Sequence, residues 1–134
     1  APSSTLKDII NIDLVKKRKH HIHMNGREVF KHAVRRFPEV IKECLTFNNL
    51  DVNDIDLIVP HQANYRITKS VQEQLNIDKS KVFSNIHKFG NTTAASIGIA
   101  LTEAIESDKI SENNLVMLAS FGAGWYWASL IMRW

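Results

Sequence analysis

His61 follows the apolar run Leu57-Ile58-Val59-Pro60, and Asn91 follows Gly90, so two neutral hydrogen-bonding side chains stand at the ends of segments that read as rigid. An imidazole held in that position can donate a hydrogen bond or carry a proton. Taken alone, His61 also reads as a structural histidine satisfied by its neighbours. Asn91 alone reads as the N-cap of the helix that follows, its carboxamide serving a free backbone amide. As a pair they read differently, because a histidine and an asparagine at two strand-to-helix junctions can aim two neutral donors at one developing oxyanion. A third segment, Phe121-Gly122-Ala123-Gly124, reads either as a tight hairpin whose glycines supply positive φ or as the third loop of the same site.

Other chemistries find little support. The Gly-x-Gly at 122–124 has no third glycine at dinucleotide-loop spacing and leads into Trp125-Tyr126-Trp127 rather than a helix, and no Gly-x-x-x-x-Gly-Lys phosphate loop occurs. His21 and His23 would share one face of a strand, but no cysteine or carboxylate sits at a ligand-like spacing beside His20, His21 and His23, so no metal is expected. The basic run over residues 16–19 reads as a solvated linker, since no nucleic-acid fold accompanies it. Cys44 lies on the apolar stripe of an expected helix, where a thiol is a small inert hydrophobe rather than a nucleophile.

The elements that must position the three loops follow from hydrophobic spacing. Over residues 27–47, Phe30, Ala33, Val34, Phe37, Ile41, Cys44 and Leu45 recur at three and four residues, predicting an amphipathic helix that Pro38 kinks or divides. Residues 55–59 predict a buried strand ending at Pro60. A helix starting near Ala63 carries Ile67, Val71 and Leu75, and residues 81–85 predict another strand. The stretch 93–107 is apolar around most of its circumference and predicts a buried helix. Residues 115–121 and 125–133 predict two strands joined as an antiparallel hairpin. The pattern is an α/β domain with a mixed sheet, whose chemistry should gather where loops leave the carboxyl ends of strands.

With 134 residues the chain has room for one ordinary domain. Its 17 Lys and Arg against 14 Asp and Glu leave a mild positive balance that helps an acidic partner dock without requiring nucleic acid. One cysteine excludes an internal disulfide and fits a reducing, cytoplasmic setting. No apolar run reaches the roughly 18 to 20 residues of a membrane span, so no membrane is expected. Residues 1–19 read as a weakly patterned lead-in. The missing initiator Met points to an excerpt or processed piece of something longer.

From about His20 to Trp134 the chain resembles the C-terminal half of β-ketoacyl-acyl carrier protein synthase III, a thiolase-fold condensing enzyme of fatty-acid synthesis. Four blocks carry the resemblance: Met24-Asn25-Gly26-Arg27-Glu28-Val29-Phe30, Val59-Pro60-His61-Gln62-Ala63-Asn64, Gly90-Asn91-Thr92-Thr93-Ala94-Ala95-Ser96, and Phe121-Gly122-Ala123-Gly124 before a final Arg133-Trp134. Thr93 stands where the family usually has Ser, and Tyr126 and Ala128 where it has Thr and Gly.

The resemblance implies a mixed five-stranded sheet with helices on both faces, closed by a β-hairpin, over a catalytic domain at 20–134. It implies a Cys-His-Asn triad in which His61 and Asn91 fall on catalytic positions, while the nucleophilic Cys belongs to the family's N-terminal half. The amide of Ala123 matches a second oxyanion donor. Met24, Gly26, Phe30 and Asn64 would line the channel for the phosphopantetheine arm, and Phe121 would pack beside the nucleophile. Lys31 and Arg66 match basic positions facing the acyl carrier protein. Implied substrates are acyl-CoA and phosphopantetheine-linked malonyl, with no bound cofactor or metal. Implied partners are the carrier protein, the N-terminal half and a second copy in a homodimer. A non-catalytic paralogue acting as an interaction partner is the rival expectation, and nucleic-acid binding a distant third.

Overall fold

Helix α2 spans Gly26–Phe47 and follows a short helix, α1, at Ile12–Lys16. The computed structural model describes residues 12–21 and 24–134. The lead-in at 1–11 and the proposed metal-ligand candidate His23 lie outside the described residues. α1 buries none of its side chains. Asn25 caps α2, accepting from the Glu28 amide at 3.3 Å. The helix buries Ala33, Phe37, Ile41 and Leu45 of the expected stripe, with Pro38 and Val40 beside them, while Phe30, Val34 and Cys44 are half-buried.

Pro38 neither ends nor divides α2. Proline removes the amide that would bond the carbonyl four residues back, here Val34, and the Gln74 side chain supplies the missing donor to that carbonyl at 2.9 Å. The donor comes from a neighbouring helix, so the local pattern around Pro38 could not show it.

Strand β1 is Leu57–Pro60, β2 is Leu115–Gly122 and β3 is Tyr126–Arg133. β1 and β2 pair in parallel with Leu57 opposite Val116, and β2 and β3 pair antiparallel with Phe121 opposite Trp127. Helix α3, Tyr65–Leu75, joins α2 on one face, over Ile58, Met117, Ala119 and Ile131. Helix α5, Ala95–Glu106, follows the four-residue α4 at Ile86–Phe89 and packs on the other face, over Leu57, Val59 and Val116. Alternation along each strand therefore feeds two apolar layers.

Three expectations need correction. Residues 81–85 do not form a strand: only Val82 makes a bridge, to Ile58, and the chain then bends so that Asn85 bonds the Gln62 side chain instead of extending a ladder. Three of the five strands implied by the resemblance thus form among the described residues, with the Val82 bridge beside them. Helix α5 begins at Ala95 rather than Thr93 and is not buried around its circumference. Only Ser96, Ala100 and Ala104 are buried, because α5 meets the sheet along a single line of small residues. The hairpin turn holds Trp125 outside β3, at φ 59°, a left-handed conformation that a bulky side chain rarely adopts.

On the α5 side of β3, Tyr126, Leu130 and Trp134 remain exposed, Tyr126 at 77%. Cys44 is half-buried against the α2 core, with the Asn48 amide 3.8 Å from its sulfur, as its apolar position implied.

Candidate active site

Because β1 and β2 run parallel, their C-terminal ends meet at one edge of the sheet. His61 leaves β1 there, and its backbone amide donates to the Ala119 carbonyl at 2.7 Å, one step beyond the ladder. Its ring is half-buried, with Nδ1 2.5 Å from Ser96 Oγ at the start of α5. Burial holds the imidazole below its ordinary pKa of 6.5 and so favours the neutral ring.

The next residue, Gln62, is 2% exposed and makes the buried amide a hub. Its Nε2 donates to Pro60 at 2.7 Å and reaches the Phe83 carbonyl at 3.4 Å. Its Oε1 accepts from Ser84 Oγ at 3.0 Å and the Asn85 amide at 3.2 Å. Asn85 donates in turn to Glu103 at 2.9 Å, and Lys88 pairs with the same carboxylate. The Lys88 and Asn85 donors hold Glu103 below the usual carboxylate range. Among the described residues, every buried side-chain polar atom has a partner, so this corner is fully satisfied and rigid.

Asn91 lies outside α5 rather than capping it; Ala94 occupies the cap position and gives no side-chain bond. The Asn91 side-chain Oδ1 accepts from the Thr93 amide at 2.9 Å, and its Nδ2 donates toward the Ala63 carbonyl at 3.4 Å, two residues past His61. Thr93 sits at φ 54°, strained for a β-branched residue. Gly90 sits at φ 66° and ψ −156°, a region open essentially to glycine alone. A Cβ there meets nothing within 4 Å, so Gly90→Ala is expected to cost about 1–3 kcal/mol through the backbone only. Denaturant unfolding checks this, and a cost under about 0.5 kcal/mol would show that Asn91 needs no such turn.

Ala123 is exposed in the hairpin turn at the C-terminal end of β2, on the edge that carries His61. Phe121 is buried, and the strained Trp125 packs between it, at 6.1 Å between centroids, and His32 of α2, at 4.4 Å. The first turns of α2 and α3 also meet: the Arg66 guanidinium lies 5.4 Å over the half-buried Phe30 ring. Asn64 caps α3, accepting from the Arg66 amide at 2.9 Å. Gly26 opens α2, while Met24 and Lys31 are exposed beside it. The expected channel and docking residues thus collect at the N-terminal ends of these two helices.

Three participants were missed in the sequence. Gln62 and Ser96 stand within named blocks without a role of their own, and Trp125 reads as part of the strand. A signal for Ser96 exists: it precedes Ala100 and Ala104 at four-residue steps, a hydroxyl heading a small-residue stripe.

A parallel edge of this kind, flanked by helices on both faces and closed by a hairpin, is the architecture of a thiolase-like fold. The chain matches 3-oxoacyl-[acyl-carrier-protein] synthase III from Aquifex aeolicus VF5 with TM-score 0.84 and 45% identity, covering 87% of this chain and 38% of that one. It matches the β-ketoacyl-[acyl carrier protein] synthase III of Thermus thermophilus with TM-score 0.84 and 43% identity, covering 86% and 36%. A curated relative, beta-ketoacyl-[acyl-carrier-protein] synthase III of Listeria innocua, is 44% identical over 125 residues, 93% of this chain and 39% of its own length. Residues 45–134 match the family described as 3-Oxoacyl-[acyl-carrier-protein (ACP)] synthase III C terminal. The chain belongs to that synthase III family and corresponds to its C-terminal part, spanning well under half the length of these relatives.

Proposed function

We propose that this chain supplies the oxyanion donors of a decarboxylative Claisen condensation between an acyl group from acyl-CoA and malonyl-acyl carrier protein. The observation that carries the reading is the placement of His61 and Asn91 on adjoining junctions, the first bonded to Ser96 and the second to the His61 loop. Both side chains are neutral donors, suited to charge that appears only as the reaction proceeds.

In this scheme a cysteine thiolate of the N-terminal half attacks the acyl-CoA thioester and expels CoA as its thiolate, which takes a proton from water. Malonyl-carrier protein then enters, and its carboxylate leaves as CO2. The electron pair from the broken carbon–carbon bond forms an enolate, whose thioester oxygen accepts hydrogen bonds from His61 and Asn91. The enolate carbon attacks the acyl-cysteine carbonyl, the oxygen of that carbonyl is held by the Ala123 amide, and the thiolate departs. Met24, Gly26, Phe30 and Asn64 border the phosphopantetheine arm, with Phe121 beside the nucleophile. Lys31 and Arg66, both exposed, face the acidic carrier protein. The uncovered side of β3 receives the N-terminal half, and the whole acts as a cytoplasmic homodimer. This reaction calls for no metal and no bound redox cofactor.

The test is condensation by the full-length protein that carries this segment, assayed as release of CO2 and formation of β-ketoacyl-carrier protein. The 134 residues alone should give no product. Turnover by them that depends on Cys44 would overturn the assignment. Carrier-protein binding without CO2 release by the full-length protein would return the rival reading, a non-catalytic interaction partner.

A further inference from the structure

Ser96 is 2% exposed and has no place in the scheme above. Its hydroxyl has two partners among the described residues: the Gln62 backbone amide, which donates to Oγ at 3.2 Å, and His61 Nδ1 at 2.5 Å. A hydroxyl has one proton to give and two lone pairs to receive. The Gln62 amide has no acceptor function, so it must occupy a lone pair of Oγ. The Ser96 proton is then best used toward the imidazole, which makes Nδ1 the acceptor. The alternative, Nδ1–H donating to Oγ, gives the oxygen two donors and leaves the serine proton without a partner in a buried site, at a desolvation cost.

We propose that Ser96 is a positioning residue that holds His61 in the tautomer carrying its proton on Nε2, so that the ring presents a donor to the site. The proposal rests on the reading of His61 as an oxyanion donor, and it adds what makes the ring one. In the opposite tautomer Nε2 would present a lone pair to a developing negative charge. The burial that depresses imidazole protonation acts in the same direction, since an imidazolium would have to donate from Nδ1 into a hydroxyl already receiving the Gln62 amide. The arrangement is a junction between three segments: the β1 end, the loop after it and the first turn of α5. Ser96 accepts from the backbone amide of Gln62 and donates a hydrogen bond to the ring of the residue before it.

Two measurements test this. The first is the ring 15N pattern of His61 in the 15N-histidine-labelled full-length protein above pH 7, which needs no substitution and no activity. A pyridine-like Nδ1 with a pyrrole-like Nε2 is expected, and a protonated Nδ1 overturns the proposal. The second compares Ser96→Ala and Ser96→Thr in the full-length protein. Ser96→Ala should mix the two tautomers and lower kcat for malonyl decarboxylation roughly 10- to 100-fold with KM little changed, while Ser96→Thr, which keeps the hydroxyl, restores the Nε2–H pattern. An unchanged 15N pattern in Ser96→Ala overturns the proposal. The expected 15N pattern in a protein that releases no CO2 leaves Ser96 holding the tautomer and removes the oxyanion reading instead, so the two failures are distinguishable.

Discussion

His61→Ala and Asn91→Ala in the full-length protein are each expected to lower malonyl decarboxylation by about a hundredfold or more, the usual scale for removing one preorganised oxyanion donor. The loss should fall on the decarboxylation rate, because the donors matter most once charge has moved onto the thioester oxygen. Acylation of the nucleophilic cysteine should suffer less. The corner is built for this: the His61 backbone is tied to β2 and its ring to α5, and the adjoining Asn91 turn is held by its own Asx bond. Burial also sets the sign of the pH response. Burial holds His61 below its ordinary pKa of 6.5, so the donor stays neutral to lower pH than a free imidazole would, and the rate should decline as the pH falls toward the lowered value. Stability is linked in the same direction. The contribution of the neutral ring is complete above 6.5 and is lost as the pH falls toward the lowered folded value, because the unfolded chain takes up a proton first. Rate measurements across that range, with both variants at wild-type speed, would sink the assignment of the two donors.

The second large effect is on stability. Phe37→Ala is expected to cost about 3–5 kcal/mol, measured as a drop in the denaturant midpoint at similar slope. Phe37 is 2% exposed and sits where α2 crosses the sheet, among the residues that join α2, α3 and β2 in one core. It also lines a void of about 10 Å3 with Ile41, Ile58, Val71 and Ile77. Truncation merges the lost ring volume with that void, and the parallel strand behind it leaves little freedom to collapse. A cost below about 1 kcal/mol would show that the two helices settle onto the sheet without it.

The elements legible from sequence are those whose burial repeats locally. The α2 stripe, the β1 run before Pro60 and the hairpin around Gly122 and Gly124 all carry their period within a few residues, and all are present close to the expected positions. His61 and Asn91 stand out in the sequence because each lies where such a period breaks. What escaped detection depends on partners far along the chain. The Ser96 hydroxyl meets Gln62 and His61 across 34 and 35 residues, and Ser84 meets the Gln62 amide across 22. Nothing in the spacing near Val82 shows that its continuation will turn toward Gln62. The continuity of α2 through Pro38 has the same origin, since the carbonyl that the proline leaves without a donor is served by Gln74, 40 residues from Val34.

The pairing of β1 with β2 has a temporal meaning. Asp56 accepts from the Leu115 amide across 59 residues, and the His61 amide donates to the Ala119 carbonyl of the same strand, β2. A parallel pair cannot zip from a tight turn, so its loop must close before any ladder bond repays the lost chain entropy. Helix α2 and the hairpin can form from near neighbours, whereas the His61 corner waits for chain synthesized after it, from Leu115 onward. In refolding, protection of the His61 amide from hydrogen exchange should appear after that of α2 and after that of the β2–β3 hairpin. The corner that holds His61 is thus among the last parts of this chain that folding creates.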